Sequence, residues 1–304
     1  MNMPIRLATT ALAVALVLGC ATRGDTESGP RPLAEVSFTL FQNGIIVPAT
    51  IDGRHEVQLL LDTGWGPLAL LSGSAERLGL AVDAPDGDGL ARTRLRSIAV
   101  GGAVQNGPLA EVFPTETLVP LIGPNDGVLS TAFFRDLVLQ IDYPARKVRF
   151  WRRSPLSTPA PSTVSRVSVP MVFSPNAGAL PFTDSVFVDG KPVRGLFDTG
   201  GAGAFVATDR FVKRAGLKPS AGAGRASVGL LNADTTARQT VGFARVGRVS
   251  VGSFGVDSAR VMLAPSLMVG EDWGHDLNIG YGFMRDYVVT FDYPGRVVTF
   301  EKPR

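Results

Sequence analysis

The sequence predicts a mostly β protein built as two similar lobes, and three observations carry that expectation. Apolar and β-branched residues fall in short runs separated by Gly, Pro and Asp-Gly turns, and no long amphipathic stretch of helical period interrupts them. The 304 residues suffice for two domains of ordinary size, each with a core of its own. The second half of the chain also repeats the first, element by element, with a period of about 140 residues, too long for a solenoid and suited to two lobes.

The repeat opens with VSFTLFQNGIIVPATIDGRHEVQLLLDTG, from Val36 to Gly64. Its match is VSVPMVFSPNAGALPFTDSVFVDGKPVRGLFDTG, from Val167 to Gly200. Each reads as strand, turn, strand, an Asp-Gly turn and a strand ending in Asp-Thr-Gly. The turns Asp52-Gly53 and Asp189-Gly190 are strong hairpin signals, because Asp and Gly tolerate the positive φ that a primed turn requires. Next come two short helices, SAERLGL (Ser74 to Leu80) and RFVKRAGL (Arg210 to Leu217), stopped by Gly79 and Gly216. LRSIAVGGAVQNG and VGRVSVGSFGVDS then form hairpins turning at Gly101-Gly102 and Gly252-Ser253. The repeat closes with Gly127 to Phe150 against Asn278 to Phe300. Each has a short helix with an Arg-Asp step (Arg135-Asp136, Arg285-Asp286), a strand into Asp-Tyr-Pro and a returning strand. Asp142 and Asp292 read as turn residues there, with Pro144 and Pro294 fixing the turn.

The flanks of the repeat set the organisation. MNMPIR is followed by an apolar run from Leu7 to Leu18, too short to span a bilayer and right for the core of a signal peptide. It ends Val17-Leu18-Gly19-Cys20, which resembles the lipobox of bacterial lipoproteins and implies lipidation of Cys20. Ala21 after the Cys implies sorting to the outer membrane, facing the periplasm, by the same resemblance. The expected organisation is a signal peptide over 1–20, a polar tether over 21–33, a first lobe over 34–152, a Pro/Ser/Thr linker over 153–165 and a second lobe over 166–304.

Composition removes several classes of function. Thirty Lys and Arg against 27 Asp and Glu leave a formal charge of +3, with no basic run or basic-aromatic stripe, so no nucleic acid partner is expected. Cys20 is the sole cysteine, which rules out a disulfide in the mature chain. His55 lies on the Asp52-Gly53 hairpin and His275 in a loop. With no Cys partners and no helical spacing they do not suggest zinc, and no metal or cofactor is expected. Ser227 in RASVG lacks the first Gly of a nucleophile elbow. GAGRAS and GGAGAF open no βαβ unit, so a nucleotide site is poorly supported. Trp151 and Trp273 read as packing residues.

What remains is the pair of Asp-Thr-Gly triplets, Asp62-Thr63-Gly64 and Asp198-Thr199-Gly200. One triplet alone is an ordinary surface turn sequence. Two at matching places point to carboxylates facing each other across a pseudo-two-fold axis, where one proton is shared between two acids. Hydrophobic-hydrophobic-DTG, a small-residue loop, a helix ending Gly-Leu and a late Gly-rich apolar segment with Phe and Arg resemble the retropepsin-like aspartic proteases of bacteria. More broadly, they resemble the pepsin and retroviral protease superfamily. The likeness runs over about residues 34–302 in both lobes. It implies two tandem acid-protease β-barrels, a single-chain pseudo-dimer, and an endopeptidase acting on peptide or protein substrates.

The resemblance gives Asp62 and Asp198 the catalytic roles, with neither assigned as acid or base, since such a dyad titrates as a unit. The Gly at the third position lets each backbone turn closely past the other loop. Thr63 and Thr199 carry hydroxyls able to donate and accept across the loops, with Gly64 and Gly200 as their support. Two departures bear on competence. The family has a small residue after DTG, where this chain has Trp65 and Gly201, so Trp65 would line a subsite, cover the dyad or mark a lobe relaxed from catalysis. The family also has two apolar residues and a Gly packing beneath each DTG loop. Asn278-Ile279-Gly280 keeps a version, while Val128-Leu129-Ser130 ends in Ser. A second reading therefore stands beside the first: a peptide- or partner-binding lipoprotein that keeps the fold without the chemistry. Flap hairpins would fall at Pro85 to Leu90 and Ser220 to Gly229, which read equally well as plain loops.

Overall fold

A computed structural model of the chain describes residues 31–85, 87, 89–156, 162–222, 224–232, 235–263 and 273–303. The signal segment with Cys20, the tether before Arg31 and residues 157–161 of the expected linker lie outside these.

The protein is mostly β, arranged in three sheets. The first is built wholly from the first half. Its strands run, edge to edge, Ala91–Arg94, Leu109–Phe113, Leu68–Leu71, Gly127–Ser130, His55–Asp62, Gly44–Ile51, Ser97–Val100 and Ala103–Asn106, with Thr39–Phe41 also paired to Gly44–Ile51. The second belongs to the second half. It runs Arg225–Asn232, Thr235–Arg245, Arg260–Leu263, Phe205–Ala207, Leu277–Ile279, Lys191–Phe197, Phe182–Val188, Arg248–Val251 and Phe254–Asp257. Within each, the strand that ends at Asp lies parallel to a later strand. Leu61 stands opposite Leu129 in one sheet and Phe197 opposite Ile279 in the other.

The third sheet draws on both halves, in the order Ala34–Ser37, Lys147–Trp151, Val138–Asp142, Val288–Asp292, Val297–Pro303 and Val164–Pro170. Its two central strands are antiparallel with Gln140 opposite Thr290, and the buried Gln140 amide donates to Thr290 Oγ1 at 3.1 Å. Because the halves are joined through this sheet, their apolar interiors merge. One cluster of buried side chains runs from Phe38 and Ile45 through Leu139 and Phe150 to Phe197, Phe291 and Phe300. The core is therefore continuous, where the sequence suggested one for each half. The strand Val164–Pro170 also begins inside the stretch 153–165 expected as linker, since Val164 and Ser165 pair with Pro303 and Lys302.

The local devices read from the sequence are present. Asp52 and Gly53 have φ of 55° and 70°, and Asp189 and Gly190 have 50° and 76°, the two positive angles of a type I′ turn. The helix Asp209–Ala215 starts on a Thr208 side-chain cap and stops at the left-handed Gly216. Asp142 and Asp292 accept the amides of Ala145 and Gly295 at 3.0 and 2.7 Å, closing the last hairpins as turn residues.

One helix escaped the sequence reading. Thr115–Ile122 is a helix despite Pro120 within it, and it covers one side of the first sheet. The hairpin of Arg225–Asn232 and Thr235–Arg245 reaches from the second sheet to this helix. Of Ser220 to Gly229, the stretch expected as a flap, the part from Arg225 onward lies in the first strand of that hairpin. In the first half, the described residues of Pro85 to Leu90 lie in no strand, between Asp83 and Arg92, which form an isolated bridge.

Candidate active site

The two Asp-Thr-Gly triplets meet. Each follows a buried strand, His55–Asp62 or Lys191–Phe197, whose alternating apolar residues fix its place in its sheet. At the meeting point the threonines are fully buried and bond reciprocally. Thr63 Oγ1 donates to the Phe197 carbonyl at 2.7 Å and accepts the Thr199 amide at 3.1 Å. Thr199 Oγ1 donates to the Leu61 carbonyl at 2.8 Å and accepts the Thr63 amide at 2.9 Å. Four backbone groups that would otherwise be orphaned in the interior are satisfied by two hydroxyls.

The same lock brings the carboxyls together. Asp62 Oδ1 accepts the Gly64 amide at 2.7 Å, and Asp198 Oδ1 accepts the Gly201 amide at 2.9 Å. Each side chain lies against the glycine of the other loop. A Cβ on Gly64 would stand 2.7 Å from Asp198 Oδ1, and one on Gly200 would overlap Asp62 Oδ2. Only glycine admits this approach. The carboxyls are near enough to act on each other's titration, and two acids in that position hold a proton between them.

Both are only partly exposed, with protein packed densely around them. Burial and the neighbouring Asp198 charge hold Asp62 well above the usual carboxylate range, against the opposing amides of Gly64 and Gly200. Burial also raises Asp198, but the Asn278 side chain, the shared proton and the Gly201 and Gly200 amides oppose it. Two tyrosines in the turns just after the central strands of the third sheet lie near enough to feel these charges. Burial and Asp62 raise the Tyr293 phenol, and burial, Tyr281 and Asp198 raise that of Tyr143, so both stay neutral.

The two departures have local explanations. Trp65 packs edge-to-face on Phe113, with ring centroids 5.8 Å apart, in an apolar cluster with Leu60, Val128, Leu118 and Ile122. Ser130 adopts φ −112° and ψ −175°, close to the −108° and −166° of Gly280. A Cβ on Gly280 would overlap the carbonyls of Gly201 and Gly203, whereas Ser130 Oγ donates to the Gly66 carbonyl at 2.9 Å. The loop after Asp198 is one residue longer before its next strand than that after Asp62, and it lies closer to the strand beneath. Serine in the first half thus supplies by its side chain a contact that the second half makes by close backbone approach.

Two residues near the dyad went unassigned in the sequence. Asn278 Nδ2 donates to Asp198 Oδ2 at 3.0 Å, and Asn278 Oδ1 lies 2.6 Å from His275 Nε2. His275, read as a loop residue, is buried between Phe182 and Trp273. The signal for Asn278 was one of position, since it takes the first of the two places before Gly280 that the resemblance expects to be apolar.

Comparison with known proteins bears on the second half. A family model described as aspartyl protease matches residues 185–283, a stretch that holds Asp198, Thr199, Gly200, His275 and Asn278. No curated protein matches the chain.

Proposed function

We propose that the protein is an aspartic-type endopeptidase whose two halves are equivalent lobes, each giving one carboxyl to a shared catalytic pair. The observation that carries this is the approach of Asp62 and Asp198, each lying against the glycine of the other's loop and held there by the reciprocal Thr63 and Thr199 bonds. Two acids that close retain a proton, which supplies the two forms that peptide hydrolysis needs. The ionised member takes a proton from a water bound between them, and the water oxygen attacks the peptide carbonyl carbon. The protonated member donates to the carbonyl oxygen. Collapse of the tetrahedral diol then expels the amine, which takes up a proton, and restores the pair. The Gly64, Gly200 and Gly201 amides hold the carboxyls in place throughout, and Asp62 and Asp198 are the catalytic residues.

The substrate is an extended peptide or protein segment that reaches the pair through its partly exposed side. The protein works as a monomer, tethered to the envelope through Cys20.

The test is to incubate the chain lacking residues 1–20 with an unstructured protein at pH 3 to 7. Cleavage is expected, and Asp62→Asn or Asp198→Asn should lower it by about 10²–10⁴-fold. Cleavage that survives both substitutions overturns the reading. Peptide binding without turnover, unchanged by either substitution, would establish the binding lipoprotein instead.

A further inference from the structure

The dyad is flanked unequally, and the inequality has a direction. The backbone treats the two carboxyls alike: each accepts an amide from its own loop and each lies against the glycine of the other. The side chains beside them differ. In the strand next to the second triplet, Asn278 stands opposite Leu196. In the strand next to the first, the residue opposite Leu60 is Val128. Asn278 gives Asp198 a hydrogen bond at 3.0 Å, and Val128, buried in its apolar cluster, has none to give Asp62.

We propose that Asn278, oriented by His275, makes Asp198 the ionised member of the pair and leaves the proton on Asp62. The inference rests on the catalytic reading above and assigns roles within it. An amide N–H can only donate, so it favours an acceptor oxygen, and a carboxylate accepts more strongly than a carboxylic acid.

What keeps the amide from turning over is the other end of the chain. Asn278 Oδ1 needs a donor, and His275 Nε2 at 2.6 Å is that donor in the tautomer carrying its hydrogen there. The reversed chain would need Asp198 to donate to Asn278 and His275 Nε2 to accept. The imidazole proton would then sit on Nδ1, a buried atom with no partner among the described residues. Burial holds His275 below its ordinary range and so neutral. The Asn278 bond and the Asp276 charge oppose that shift, and Arg210 adds to it. A neutral ring carries one N–H, and here Nε2 is where it is satisfied. A hydrogen bond to a charged group biases the choice of proton site by roughly tenfold to a hundredfold.

Two labelling reactions read the proton without any substrate. An epoxide is opened by a carboxylate: the oxygen attacks a ring carbon, a ring C–O bond breaks, and the resulting alkoxide takes a proton from water. A diazoacetyl ester reacts with the acid form: the carboxyl proton moves to the diazo carbon, N₂ leaves, and the carboxylate oxygen captures that carbon. With the wild-type chain at pH 5, peptide mapping should place the epoxide on Asp198 and the diazo reagent on Asp62, each by at least about tenfold. In Asn278→Val both preferences should shrink to within about threefold, and in His275→Phe they should fall between those limits. Asn278→Val should also lower kcat while leaving KM within about twofold, as expected for a positioning residue.

Equal labelling of the two aspartates in the wild type, or the same reagent order in folded Asn278→Val, overturns the proposal. If Asn278→Val does not fold, the smaller Asn278→Ala is mapped in its place, with the same two outcomes. Opposite labelling without peptide cleavage leaves the proposal standing and removes the peptidase reading, whereas cleavage with equal labelling does the reverse.

Discussion

Thr63 and Thr199, 136 residues apart in sequence, each accept the other's backbone amide and donate to a carbonyl in the other's strand. Every bond in this lock crosses between the halves, so it measures their association directly. Thr63→Val keeps the shape but leaves the Phe197 carbonyl and the Thr199 amide unpaired in the interior. Each orphan costs about 1–3 kcal/mol, so a loss of about 2–6 kcal/mol is expected in urea unfolding. Thr63→Ser retains the hydroxyl and should recover most of it.

Gly200→Ala separates geometry from fold. The new methyl would overlap Asp62 Oδ2, and the nearest relief is displacement of that carboxyl. Activity should fall by more than about 10²-fold, since misplacement of a reacting group by about 1 Å costs that much. The thermal midpoint should move by only a few degrees. Gly64→Ala should act the same way through Asp198.

The stability of the protein should depend on the dyad with a definite sign. Burial and the Asp198 charge raise Asp62, so above about pH 4 the folded state holds a proton that the unfolded chain has released. The folded state then binds more protons than the unfolded. The dyad's favourable contribution is thus complete below the ordinary carboxylate range and is lost as pH rises through it toward the raised value. Asp62→Asn removes this dependence. Its thermal midpoint should match the wild type near pH 3 and exceed it at pH 7 by at least about 2 °C. A variant less stable than the wild type at pH 7 contradicts the assignment.

Exchanging Ser130 and Gly280 should be unequal. Ser130→Gly loses the bond to the Gly66 carbonyl and should cost about 1 kcal/mol. Gly280→Ser drives a Cβ into two carbonyls and should destabilise the chain by several times more in denaturant titrations.

The tether is checked by metabolic labelling with an alkynyl fatty acid. The full chain should take up label and sediment with membranes, and Cys20→Ala should do neither.

The sequence by itself determined the features that depend on neighbours along the chain. Alternating apolar residues set the strands, Asp52-Gly53 and Asp189-Gly190 set the type I′ turns, and Gly216 stopped its helix. These were legible because each follows from local sterics, and their repetition marked Asp62 and Asp198 as a pair. The tertiary structure decided what depends on pairing between distant strands. That Gly200 lies against Asp62, that the core is continuous through Gln140 and Thr290, and that Asn278 meets an aspartate 80 residues before it are products of sheet register. The helix Thr115–Ile122 was hidden by Pro120, because packing of its apolar face on the first sheet outweighs one missing backbone bond. The sequence already marked the two triplets as unequal through Trp65 and Ser130; the further inequality between Asn278 and Val128 came only from the structure, since the side chain beside each carboxyl comes from another strand of the sheet.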